Sequence, residues 1–276
     1  MGCCDSNNMK EVVKDKYGKI AADEVSGCGC GCSPSPGADF AVFKDDYAGI
    51  AGYVPEADLN LGCGLPTEYA GIREGDTVID LGSGAGNDCF IASRLVGSEG
   101  SVIGVDMTPE MIFRARANVE KLGYTNVSFR LGEIENLPVT TGKADVIISN
   151  CVINLVPDKS AAFHEILRVL KPGGYFCISD VVTEGDIPAE LLEQAELYAG
   201  CVAGALPVDQ YIGIIAKAGF RNIEIKKRKS IEIPDAILNE FLAPEEVVRL
   251  RESGVGLWSI TVTAEKSACG CGCGCN

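Results

Sequence analysis

Between residues 77 and 182 the chain alternates short β-branched runs with amphipathic stretches, and this rhythm constrains the fold more than any other feature. The runs at 77–81, 101–105, 127–131, 145–149 and 174–182 read as strands buried on both faces, because they are short, apolar and continuous. The 3.6-residue spacing of apolar positions predicts helices around 89–96, 109–122 and 159–170. Lys171-Pro-Gly-Gly174 is expected to stop the last of these sharply. Strands joined through helices run parallel, so the expected fold is α/β: a doubly wound, mostly parallel sheet.

The flanks differ in character. Residues 1–60 read as an N-terminal arm, with a polar helix from about Asn8 to Tyr17 and then the segment GCGCGCSPSPG at 27–37. A more apolar stretch at 40–53 suits a cover over a site. Beyond Ile187, helices are expected at 188–199 and 208–218 and strands near 222–233 and 257–264, the last completing the sheet. The chain ends in CGCGCGCN, a sequence with no apolar pattern. The expected organisation is a Cys-rich arm and lid (1–60), a ligand-binding core (61–186), a smaller covering α+β region (187–265) and a Gly-Cys tail (266–276).

Charge and cysteine content narrow the function. A formal charge of -15, from 24 Lys and Arg against 39 Asp and Glu, repels phosphate backbones and argues against nucleic acid. No apolar run approaches a bilayer span, and the first residues lack a signal-peptide profile, so a cytoplasmic protein without a membrane partner is expected. The 14 cysteines accompany a single histidine, His164, within a helical pattern, which leaves the usual Cys/His zinc arrangements out of reach. An intracellular setting keeps such thiols reduced, and thiolates favour soft, thiophilic centres; no metal cofactor is called for.

The strongest local motif is Asp80-Leu-Gly82-Ser-Gly84-Ala-Gly86, directly after the first strand and before a helix. Its glycines permit a tight turn and close approach of a ligand, and its spacing departs from the dinucleotide fingerprint. The leading carboxylate of Asp80 suits a cationic, amino-acid-bearing cofactor better than a pyrophosphate. Asp106 ends the second strand, where a carboxylate can take ribose hydroxyls and the neighbouring Met107 can lie on a base. Glu133 and Ile134 follow the third strand in a polar turn able to read an adenine edge, and Asn150 ends the fourth. Open α/β sheets bind ligands at these carboxyl ends.

DLGSGAG, GVDMTPEM and RVLKPGG resemble the motifs of class I S-adenosylmethionine methyltransferases, which implies a Rossmann-like fold and S-adenosylmethionine as cofactor. Three cysteines sit near the same crevice: Cys63 in LGCGLP, Cys151 in SNCVINLVPDK and Cys201 in AGCVAGAL. These contexts resemble arsenite methyltransferases, where the matching cysteines bind As(III). Tyr17 and Gly18 are similar to that family's cofactor-covering segment, and one of Cys28, Cys30 or Cys32 occupies the place of its further relay cysteine. The resemblance implies methyl transfer to arsenite or its thiol conjugates, with the thiols re-reduced by glutathione or thioredoxin. Cys89 and Cys177 read as small hydrophobes in a helix and a strand. Two other readings stand beside this: methylation of a small organic substrate on the same fold, and thiol-based metal sequestration by the Gly-Cys repeats.

Overall fold

Every residue of β1 (Thr77–Leu81) is buried, as a central strand covered on both faces requires. Its side chains alternate. Ile79 and Leu81 join a core with Phe163, Ile166 and Phe176, whereas Val78 joins the opposite core with Phe90, Val102 and Val146. Asp80 therefore shares a face with Val78, at the strand's carboxyl end. The computed structural model describes residues 6–23, 47, 49–59, 62–185, 187, 202, 204–232, 238–239 and 243–268.

Around β1 lie β2 (Ser101–Asp106), β3 (Val127–Leu131), β4 (Ala144–Asn150), β5 (Leu170–Glu184), β6 (Leu206–Pro207), β7 (Arg221–Ile231) and β8 (Gly256–Glu265). The sheet order is β3-β2-β1-β4-β5-β8-β7, with β6 paired to β5. The first five strands are parallel, and β8 runs antiparallel to both β5 and β7. The strand at the chain's end is thus inserted between β5 and β7, and it fastens the C-terminal segment to the sheet. The order reverses between β1 and β4, where Leu81 pairs with Ser149, and the crevice of a doubly wound sheet opens there.

The helices are α1 (Ser6–Asp23), α2 (Pro66–Tyr69), α3 (Asn87–Val96), α4 (Pro109–Leu122), α5 (Lys159–Val169), α6 (Val208–Lys217) and α7 (Pro244–Ser253). Local chemistry sets their ends. Pro109 opens α4, and Gly123, left-handed at φ 70°, closes it with an N–H bond to the Val119 carbonyl. Asp158 caps α5 by accepting from the Ala161 N–H at 2.9 Å. Fully buried Phe90 and Phe163 anchor the two cores, each removing from water an area worth about 2–3 kcal/mol.

One expectation is corrected. The N-terminal helix runs to Asp23 rather than ending at Tyr17, with Val13 and Ala21 on its buried face. The helix before Lys171-Pro-Gly-Gly174 stops at Val169, as expected, and the chain passes directly into β5: Leu170 already pairs with Ala144, and Gly173 takes a left-handed φ of 79°. Lys171 holds Asp145 at 2.7 Å, and a side chain at Gly174 would meet the Asp145 carbonyl at 2.9 Å. The helix expected at 188–199 lies outside the described residues.

Candidate active site

The crevice at the carboxyl ends of β1, β2 and β4 is lined by Asp80, Gly82, Ser83, Gly84, Asp106, Met107, Ile134 and Asn150, with Cys151 beside them. The turn after β1 is built from glycine for two different reasons. Gly82 has φ 67°, and a Cβ there would collide with Val152 at 2.4 Å. Gly84 has φ 51° and faces open space, leaving its backbone accessible to a ligand. Its N–H donates to Asp106 Oδ2 at 3.0 Å, while Asp106 Oδ1 accepts from the Thr108 N–H at 2.8 Å. Gly86 begins α3, where a Cβ would meet Phe129 at 2.7 Å.

Three carboxylates share this small space. Burial pushes Asp80 well above the usual carboxylate range, and the charges of Asp88 and Asp106 add to it. Asp88 is pushed up to about 6 by its removal from water, against hydrogen bonds from Asn150 and Tyr47 that favour the charged form. Asp106 is raised by burial against its backbone donors. Asp88 Oδ1 and Ser83 Oγ are buried there without a hydrogen-bond partner. Desolvated carboxylates with an orphaned oxygen fit a cationic, amino-acid-bearing group and oppose a pyrophosphate. The residues therefore fit S-adenosylmethionine.

The N-terminal helix covers one side. Tyr17, Val13 and Lys10 of α1 line the crevice, and α1 packs against α4, with Gly18 beside Glu110. Lys10 bridges Glu133 at 2.7 Å and Glu135 at 3.0 Å, and Lys14 also reaches Glu133. The Glu133 carboxylate, expected to face the cofactor, is thus turned toward α1, and Ile134 and Glu135 face the crevice. Sequence reasoning did not single out Asp88 or Tyr47. Asp88 was readable from its place just behind the glycine turn, whereas Tyr47 carries no local signal.

Cys63 and Cys151 meet at the mouth and are joined as a disulfide, with Cα atoms 5.8 Å apart. Among the described cysteines, Cys89 and Cys177 are free and buried. Two distant loops, one before β1 and one after β4, bring this pair together. Cys151 takes a left-handed backbone, φ 58°, rare for a residue with a side chain, and its N–H is held by the Ser179 carbonyl at 2.8 Å. Cys63 lies between two glycines that have no room for a Cβ: Gly62 would strike Asn150 Nδ2 at 2.6 Å and Gly64 would strike Ser179 Oγ at 2.5 Å. The Cys63 carbonyl accepts from Ser259 Oγ of β8 at 2.8 Å. Burial raises both free thiols, Cys177 to about 12, so neither supplies a thiolate at neutral pH. Cys201, Cys28, Cys30 and Cys32 lie outside the described residues. Val202, next to Cys201, is buried, and Gly204 sits against the Asn154 carbonyl at the same end of the sheet.

Comparison with known proteins agrees with this arrangement. The sequence pattern of the methyltransferase domain family matches residues 72–239. An arsenite methyltransferase of Halobacterium salinarum is 42% identical over 96% of this chain and 68% of its own length. One from Aquipseudomonas alcaligenes is 42% identical over 66% of this chain, which spans 54% of that protein. The crystal structure of an arsenic(III) S-adenosylmethionine methyltransferase from Chlamydomonas reinhardtii superposes with a TM-score of 0.64 at 36% identity, covering 85% of this chain and 75% of that one. The chain belongs to the arsenite methyltransferase family of S-adenosylmethionine-dependent enzymes.

Proposed function

We infer that this protein methylates trivalent arsenic, taken as arsenite or its thiol conjugates, while cysteine sulfur holds the arsenic at the mouth of the cofactor crevice. The observation that carries the reading is the convergence of Cys63 and Cys151 beside the carboxylate-lined turn after β1. S-adenosylmethionine, when bound, supplies a methyl group activated by its sulfonium. Asp106 and the Gly84 backbone would hold its ribose side, and Asp80 and Asp88 its cationic amino-acid end. Lys10, Val13 and Tyr17 close the crevice from the N-terminal side and keep water out.

Thiolates of Cys63 and Cys151, with Cys201 as the third, form a pyramidal site that leaves the arsenic lone pair free to attack the methyl carbon. Orientation does most of the catalytic work, since the nucleophile needs no general base and no metal cofactor. Attack on the methyl carbon would break its bond to sulfur, release S-adenosylhomocysteine and take arsenic from As(III) to As(V). Two cysteine thiolates would then give their electron pair to arsenic, restoring As(III), and finish as a disulfide such as Cys63–Cys151. Glutathione or thioredoxin would then restore the thiols. The covering region at 187–265 and the cytoplasmic setting belong to the same proposal.

Incubation with arsenite, a thiol and S-adenosylmethionine, followed by mass spectrometry of arsenic species, tests it. Methylated arsenicals are the expected products. Methylation of organic acceptors alone would replace this reading with a small-molecule methyltransferase, and thiol-dependent metal loading without methyl transfer would replace it with sequestration.

A further inference from the structure

The residue next to Cys151 also governs Cys63. Asn150 Oδ1 accepts the Cys63 N–H at 3.1 Å and the Gly64 N–H at 3.2 Å. Its Nδ2 donates to the Gly64 carbonyl and to Tyr47 Oη, both at 2.7 Å. The same nitrogen lies 3.3 Å from Asp88 Oδ2, a longer contact that shares its two hydrogens with these shorter bonds. Two N–H donors on one side and oxygen acceptors on the other leave only one orientation of the amide consistent with the network. The Tyr47 hydroxyl in turn lies 3.2 Å from Asp88 Oδ2, linking the amide to the cofactor crevice.

This side chain therefore grips the 62–64 loop through three bonds while its own backbone leads directly into Cys151. Both neighbours of Cys63 are glycine because the loop lies against Asn150 and Ser179 with no space for a side chain. We propose that Asn150 is the positioning residue that sets the spacing of Cys63 and Cys151, acting through the loop rather than as a ligand of the cofactor. The proposal rests on the reading that these two sulfurs act together. It concerns their pre-organisation, which is measurable without arsenic.

The measurement is the thiol–disulfide equilibrium of the full-length protein in glutathione buffers. The Cys63 and Cys151 thiols together lose two protons and two electrons to glutathione disulfide. One protein S–S bond forms, the glutathione S–S bond breaks, and two glutathione thiols are released. Mass-spectrometric mapping of the Cys63–Cys151 peptide pair yields the effective concentration of one thiol toward the other. Asn150→Ala is expected to lower it by about tenfold or more, as the loss of several hydrogen bonds of ordinary net strength implies. Asn150 also lines the cofactor crevice and donates to Asp88 Oδ2 at 3.3 Å, so affinity for S-adenosylhomocysteine is expected to fall too, but by a smaller factor than the effective concentration. A core variant remote from the loop, Val169→Ala, is expected to lower the melting temperature without moving the effective concentration, which separates positioning from general destabilisation.

Should the alanine variant not fold, Asn150→Asp keeps the acceptor and removes both donors, and an intermediate loss is expected. An unchanged effective concentration in the folded Asn150 variant overturns the proposal, as does a loss matched by Val169→Ala. So does a cofactor affinity that falls about tenfold while the disulfide equilibrium stays put, since Asn150 would then be a cofactor ligand. Failure of the parent protein to methylate arsenite removes the functional reading and leaves this result standing.

Discussion

Cys63 and Cys151, 88 residues apart in the chain, are brought to a Cα separation of 5.8 Å where β4 ends beside the glycine turn of β1. The loop before β1 is held by Asn150 of β4 and by Ser259 of β8, so strands from the middle of the sequence and from its C-terminal part fix this pair.

Cys151→Ser keeps the size of the side chain and removes the soft ligand. Arsenite methylation is expected to fall by about a hundredfold or more, because a hydroxyl neither binds trivalent arsenic well nor takes part in electron transfer. Titration calorimetry with S-adenosylhomocysteine should show cofactor binding retained. Full turnover in this variant would remove Cys151 from the reaction.

Gly64→Ala introduces a methyl that would lie 2.5 Å from Ser179 Oγ. Such overpacking costs about 1–3 kcal/mol, read as a melting temperature lower by about 2–4 °C for each kcal/mol. Displacement of the loop should also slow arsenite methylation more than it weakens cofactor binding. Equal effects on both would mean that the loop serves the cofactor instead.

Asp88 titrates at about 6 in the cofactor-free protein, and a cationic ligand favours its charged form. Cofactor affinity is therefore expected to weaken as pH falls through about 6, approaching tenfold per pH unit below it. Asp88→Asn should bind more weakly near pH 8 and lose this dependence. Calorimetry between pH 5 and about 8 decides it. A flat profile in the parent protein would show that Asp88 does not face the cofactor's charge.

Asp180 is fully buried and titrates at about 7, where Tyr211 Oη donates to it at 3.2 Å. Its folded value lies above the ordinary 3.8, so the folded state holds its proton more tightly than the unfolded chain. This group's contribution is fully present below about 4 and is lost as pH rises through about 7. Asp180→Asn keeps a neutral acceptor for Tyr211. Its melting temperature relative to the parent should thus climb between pH 4 and about 7 and level off above that. A constant difference across the range would show that Asp180 holds its proton no more tightly in the folded protein than in the unfolded chain.

The pattern of apolar residues alone determined the parallel half of the sheet: β1, β3 and α4 lie at the expected positions, because each repeats its buried side chains with a period that neighbours in sequence can express. The glycine turn after Asp80 and the carboxylate ending β2 were legible for the same reason, as local chemistry at a strand's end. Only the tertiary structure decided the rest. Nothing in the spacing of residues 256–265 says that β8 lies between β5 and β7, and no local signal joins Cys63 to Asn150 or Tyr47 to Asp88. Those two contacts span 87 and 41 residues of chain, and the bond from Ser259 to Cys63 spans 196; they form because a buried amide, carboxylate or serine must find partners wherever the packed sheet brings them.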